Sequence, residues 1–304
     1  MTDSFPRQYA RTRGFSLGLP RAFRIADDGS RVTFLRSRTG DDTVAGLWVL
    51  DVATGEEREL YHPDAEERVS RDELDRRERA REPQSGVTAY DVDPNCTLAT
   101  FAVGTSLGVV EVADGSLRTL ETVGSPFDAR LDPTGGRVAY ASDGALRVHD
   151  LGDGSDDVLA DDDDPDVRWG VAEFIAAEEM ERLRGFWWAP DGTRVLACRV
   201  DDRPVGIWHI ASPIDPAAAP RAVRYPRAGT ANSIVTLHVL GLDGERVDVS
   251  WDRDAFEYVV AVSWTEEGPP LALVQSRDQR DMQMLAIDVE QGTTEVVWAD
   301  HDDR

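Results

Sequence analysis

One unit recurs along this chain. It consists of an apolar strand, an Asp-Gly or Pro-x-Gly turn, an alternating strand, a second turn, and a strand that runs into Asp-x-x-x-Gly. The first copy runs from Phe23 to Gly29, Val32 to Leu35 and Leu47 to Gly55, and the second from Tyr90 to Asn95, Leu98 to Val103 and Gly108 to Val112. The third uses Ala129 to Gly135, Val138 to Tyr140 and Leu146 to Asp150. A fourth starts at Phe186 and closes through Ile207 to Ile210 and Ile234 to Gly241. The fifth comprises Val259 to Trp264, Leu271 to Gln275, Met284 to Asp288 and Val296 to Trp298. At the turns, proline presets φ, Asp or Asn folds onto its own backbone, and glycine accepts positive φ. Four short strands per unit, at spacings of roughly 40 to 60 residues, predict the blades of an all-β propeller. A pair of β-sandwiches is the alternative, disfavoured because the period recurs so often.

Two segments break the β pattern. Ser70 to Glu82 has the spacing of a short helix with i,i+4 acid–base pairs, Glu73 with Arg77 and Asp75 with Arg79. Residues 171 to 183 predict a second helix, with Asp166 as an early cap. On a 3.6-residue wheel Val171, Ala172, Phe174, Ile175, Ala176 and Leu183 share one broad face. Glu178 and Glu179 fall on either side of Ile175 within that face, while Glu173 and Glu181 point away. Two adjacent carboxylates beside apolar groups cost repulsion and desolvation unless a cation neutralises them. The pattern therefore predicts a socket for an ammonium group; on a plain surface helix the same pair would be two solvated glutamates. The acidic run Asp161 to Asp164 lacks the glycine and glutamate spacing of a calcium loop and reads as a solvated turn.

A net charge of −25 argues against nucleic-acid binding, which needs cations along the phosphates. All 33 basic residues are arginine, a bias in keeping with a GC-rich genome. Cys96 and Cys198 are isolated, without metal-ligand spacing, and read as small apolar fillers of strands. Neither a secretory signal nor a stretch of transmembrane length is visible, so a cytoplasmic protein without membrane contact is the expectation. No cofactor or metal is expected, and a homodimer is compatible with the sequence.

Glu178-Glu179 followed by an apolar residue, then Gly185-Phe186-Trp187-Trp188-Ala189-Pro190-Asp191-Gly192, resembles the signature of the dipeptidyl peptidase IV family, serine exopeptidases of the prolyl oligopeptidase clan. The charged segment Val69 to Glu82 resembles one that bacterial members carry before their second blade, and Arg224 to Asn232 resembles the family's Tyr-Pro-basic-Ala-Gly stretch. The resemblance spans about Leu19 to Trp298. It implies that Glu178 and Glu179, on a helix projecting from the propeller, bind the free N-terminus of a peptide substrate. Trp169, Phe174, Trp187 and Trp188 are candidates for the pocket wall, with core packing the alternative; Tyr225 and Asn232 match by motif and are expected to stabilise the fourth blade. The resemblance also implies eight blades followed by a C-terminal α/β-hydrolase domain. The repeats supply about five, so residues 1–20 read as an N-terminal extension and 21–304 as an incomplete propeller. An unfinished ring implies a fragment or an incomplete gene model, with the hydrolase domain missing.

The segment Gly104-Thr105-Ser106-Leu107-Gly108 matches G-x-S-x-G, but a nucleophile elbow needs a helix after the serine and here a strand follows. His62, His149, His209, His238 and His301 show no relation to Ser106. No catalytic residue is therefore expected in this chain. Family members also place an arginine of the second blade on the substrate carbonyl, and Val103 to Val109 contains none. The leading expectation is the propeller part of a peptidase that releases N-terminal dipeptides. A non-catalytic interaction scaffold is the alternative, and an acylaminoacyl peptidase or oligopeptidase is disfavoured by the glutamate pair.

Overall fold

The computed structural model describes residues 4–63, 71–82, 84–214, 217 and 219–303. They form two compact units, Met1–Val158 and Leu159–Arg304.

In the first unit a short helix, α1 (Phe5–Arg11), precedes three antiparallel meanders. The first sheet contains Arg21–Ile25, Arg31–Ser37, Val44–Asp51 and Glu57–Tyr61, with Ser85–Gly86 added in parallel beside Val44 and Ala45. Asp91–Val92, Leu98–Val103, Ser106–Glu111 and Leu117–Leu120 form the second. Phe127–Leu131, Arg137–Ser142, Ala145–Asp150 and Asp156–Ala160 form the third. The expected repeats are thus four-stranded sheets of the kind that make propeller blades. Successive sheets pack face to face. Leu35, Leu47 and Leu60 of the first meet Ala99, Phe101 and Val110 of the second, and Tyr61 stacks on Phe101 with ring centres 4.5 Å apart. Leu107, Val109 and Leu120 then meet Leu131, Val138 and Tyr140 of the third. Phe127–Leu131 is buried throughout: Ala129 and Leu131 join the apolar cluster with the second sheet, and the intervening Asp128 and Arg130 are buried as an ion pair at 2.5 Å. The turn chemistry is as expected: the Asp132 carboxylate accepts the N–H of Gly136 at 2.8 Å and that of Arg137 at 3.1 Å, and Gly135 takes a φ of 72°.

The charged segment forms α2 (Arg71–Arg79); its expected start, Ser70, lies outside the described residues. Glu73 is its hub, bound by Arg76 Nε at 2.7 Å, Arg77 Nε at 2.6 Å and the Thr88 hydroxyl at 2.5 Å. Burial alone would raise its carboxyl, but these donors outweigh burial and hold it below the usual range.

In the second unit the fifth sheet comprises Tyr258–Ser263, Leu271–Gln275, Asp281–Ile287 and Thr294–His301. The fourth sheet departs from the expected unit in two ways. Its first strand comes in two pieces, Val167–Trp169 and Phe186–Trp188, both antiparallel to Arg194–Asp201, which pairs in turn with Ile234–Gly241. Trp169 lies opposite Arg199 and Phe186 opposite Ala197, so Cys198 alone separates the pieces on the partner strand. Cys198 bonds to both arms: its carbonyl accepts the Gly170 N–H at 2.9 Å, and its N–H donates to the Gly185 carbonyl at 2.7 Å. Residues 170–185 are thus an excursion out of one strand. The second departure concerns Ile207–Ile210, which the sequence reading places in this sheet. It pairs instead with Arg221–Arg224 in a separate hairpin, with all four of its residues exposed.

The excursion has a tight neck. A Cβ on Gly185 would lie 2.2 Å from Val171 N and 2.4 Å from the Gly170 carbonyl carbon, backbone that cannot swing aside, while Gly170 holds a φ of 71°. Gly185→Ala is therefore expected to cost at least about 2–3 kcal/mol, read as a lowered urea midpoint. Gly268→Ala, where an added methyl meets open space, is the matched control. Equal midpoints for the two variants would refute the account of the neck.

Candidate functional site

The excursion carries α3 (Phe174–Glu179), six residues against the thirteen expected from 171–183. Asp166 does not cap it; that carboxylate receives Arg224 Nε at 3.0 Å, and Glu173 stands at the N-cap without a side-chain capping bond. The helix stops because Glu181 adopts a φ of 53°, which turns the chain back so that the N–H groups of Met180 and Arg182 both donate to the Ala176 carbonyl. The wheel drawn over 171–183 fails for this reason. The face that is buried is Glu173, Ala176 and Ala177, at i, i+3 and i+4, and Glu173, which the sequence reading points outward, lies in its middle at 3% exposure.

Glu173 is neutralised from within the excursion. Arg182, also buried, returns nine residues later with Nη2 2.5 Å from Glu173 Oε2. Its Nε donates to the Val259 carbonyl at 2.9 Å and Nη1 to the Arg184 carbonyl at 2.8 Å, with Cys198 Sγ 3.7 Å away. Burial opposes charge on Arg182, but Glu173 outweighs burial and keeps the guanidinium above its ordinary pKa. Burial pushes the Cys198 thiol up to about 11, so it stays neutral. Nothing in the helical periodicity links residues 173 and 182, and sequence reasoning missed the pair.

Glu178 and Glu179 are exposed on the last turn of α3, not desolvated among apolar side chains as expected. They adjoin the negative end of the helix, and no basic residue lies in that turn. Neither has a hydrogen-bond or ion-pair partner among the described residues. Two neighbouring carboxylates are thus presented to solvent against both their mutual repulsion and the helix dipole. A cationic ligand would relieve both.

The aromatic candidates separate. Phe174, half-buried, meets Tyr225 edge-on at 5.2 Å, and Tyr225 meets Trp208 at 6.2 Å, so the Arg224–Asn232 stretch packs beside α3. Asn232 ties that stretch to the fifth sheet through Glu257 at 3.0 Å and the Tyr258 hydroxyl at 3.1 Å. Trp169, Trp187 and Trp188 are instead buried within the fourth sheet. Trp169 packs at 4.9 Å on the ring of His238, whose Nδ1 lies 2.7 Å from Asp248. The acidic run engages arginines, Asp162 with Arg199 at 2.7 Å and Asp164 with Arg203 at 3.5 Å. Ser106 starts a hairpin strand opposite Val103, with only Gly104 and Thr105 in the turn, so G-x-S-x-G is no nucleophile elbow.

The profile of the family described as the dipeptidyl peptidase IV (DPP IV) N-terminal region matches residues 101–304. The chain belongs to this family. Dipeptidyl peptidase 8 of Mus musculus is 27% identical over 265 residues, 73% of this chain and 29% of that protein. Dipeptidyl peptidase 8 of Homo sapiens is 30% identical over 145 residues, 40% of this chain and 16% of that protein. Among solved structures, Porphyromonas gingivalis dipeptidyl peptidase 4 matches with a TM-score of 0.76 at 20% identity, over 97% of this chain and 42% of that one. That likeness establishes the fold as the β-propeller region of such proteins. The chain spans less than a third of the length of the curated relatives. Both Glu178 and Glu179 lie within the stretch matched to the DPP IV N-terminal region.

Burial lowers His238 to about 4, against the opposing pull of Asp248, with Arg246 and Arg199 adding to the depression. The unfolded chain therefore takes up this proton near pH 6.5 and the folded chain only near 4. Stability contributed by neutral His238 is complete above about pH 6.5, declines on acidification and levels off below 4, for a loss of up to about 3 kcal/mol. Denaturant titrations between pH 7 and 4 should show this slope, and His238→Phe should flatten it. An unchanged slope in that variant would assign the acid sensitivity elsewhere.

Proposed function

We propose that this DPP IV N-terminal region anchors the free N-terminus of a peptide through Glu178 and Glu179, as the propeller part of a serine peptidase that releases N-terminal dipeptides. The observation that carries this reading is the exposed carboxylate pair on the last turn of a six-residue helix, without a partner among the described residues. Each carboxylate would accept a charge-assisted hydrogen bond from the substrate ammonium. That fixes the distance from N-terminus to scissile bond, and catalysis gains by orientation. The nucleophile, base and orienting acid are supplied by an α/β-hydrolase domain outside the 304 residues. Phe174, at the start of the same helix, packs against Tyr225. The setting is cytoplasmic, in keeping with buried, unpaired Cys96 and Cys198; no helix among the described residues is long and apolar enough to cross a membrane.

In the complete enzyme, Glu178→Gln with Glu179→Gln is expected to lower kcat/KM for dipeptidyl amides by more than about a hundredfold, since two hydrogen bonds to a charged group are lost. An unchanged kcat/KM rejects the anchoring role. The anchor also requires a protonated amine, so KM for the unaltered enzyme should climb above about pH 8 as the substrate amine titrates. A substrate blocked by N-acetylation should be refused at every pH.

A further inference from the structure

We propose that the buried Glu173–Arg182 pair is the positioning device of the glutamate clamp, holding Glu178 and Glu179 at a fixed height above the fourth sheet; this rests on the amine-anchoring reading above. The two partners flank α3, one at its N-cap and the other just past its C-terminal turn, so their ion pair closes the excursion across its base. Arg182 also donates to the Val259 carbonyl on the neighbouring sheet and to the Arg184 carbonyl on the returning arm. One guanidinium thereby joins helix, return arm and underlying sheet. The opposite carboxylate is under-used: Glu173 Oε1 is buried and has no hydrogen-bond partner among the described residues. A pair retained for stability alone would have that oxygen satisfied, or would be replaced by apolar side chains of the same volume. Geometry is what the pair supplies: it fixes where the last turn of α3 ends, and the two exposed carboxylates sit on that turn. Neither Glu173 nor Arg182 is exposed to a ligand, so both act through Glu178 and Glu179.

The test uses the 304-residue chain and a tripeptide amide with a free amine, beside its N-acetylated form, both titrated by NMR. The parent chain should prefer the free-amine peptide, and Glu178→Gln with Glu179→Gln should abolish the preference. Arg182→Met alone strands a buried carboxylate and can unfold the excursion. The deciding variant is therefore Glu173→Gln with Arg182→Met, which leaves no uncompensated charge. It should melt cooperatively and keep native-like NMR dispersion while its preference for the free amine falls about tenfold, the size of effect expected from displacing an oriented group by a fraction of an ångström. A reduced folded fraction alone would lower the signal without changing the ratio of the two affinities. A folded double variant with the parent's preference overturns the positioning role and leaves the anchor standing. A parent that binds both peptides equally overturns the anchor and the positioning role with it.

Discussion

The excursion that carries the glutamate pair depends on a single residue of one strand. Cys198 lies between the two pieces of the interrupted first strand, accepts a hydrogen bond from Gly170 and donates one to Gly185. The sixteen residues between Trp169 and Phe186 leave and rejoin the sheet with the ladder broken at one position only. This geometry holds the arms of the excursion so close that one must be glycine. It also explains a buried free cysteine without redox chemistry: the site needs a small side chain that tolerates a guanidinium nearby, and a thiol held neutral by burial does so.

A neck closes an excursion but does not shape its tip. Much of the shape comes from polar contacts, because the fully buried apolar residues of α3 are only Ala176 and Ala177, with Phe174 half-buried against Tyr225. Removing one member of a buried pair such as Glu173–Arg182 costs about 3–5 kcal/mol, whereas replacing both is often neutral. The pair therefore adds little net stability while making other conformations of the loop expensive.

The repeats were legible because each unit is local. Asp, Pro and Gly at the turns act on their own neighbours, as Asp132 and Gly135 do, and strand alternation reflects immediate burial. The strands named for the first, second, third and fifth units are all present, whereas the sequence reading does not pick out the outer strands Glu57–Tyr61, Leu117–Leu120 and Asp156–Ala160. The fourth unit departs from its reading, since its interruption depends on pairing between residues far apart, and Ile207–Ile210 has the apolar content of a core strand while forming an exposed hairpin. The double-glutamate helix was legible as an element and illegible in its orientation. A wheel assumes a continuous helix, and the left-handed turn at Glu181, a residue type with no special preference for that conformation, cannot be foreseen from local composition.

The acidity of the chain makes the exposed pair more informative, not less. Many of its carboxylates have structural work within their own turns: Asp93 accepts the Thr97 N–H, Asp150 the Gly152 N–H and Asp288 the Glu290 N–H. Others meet arginine forks that also satisfy loop carbonyls, as when Arg224 binds Asp166 and the carbonyls of Arg203 and Val205 at once. A lysine ammonium lacks that planar fork. Against this background Glu178 and Glu179 cap no turn and meet no arginine among the described residues, at the helix end where negative charge is least favourable. The pair runs against the local electrostatic rules, and such violations are expected where binding, rather than folding, selects the side chain.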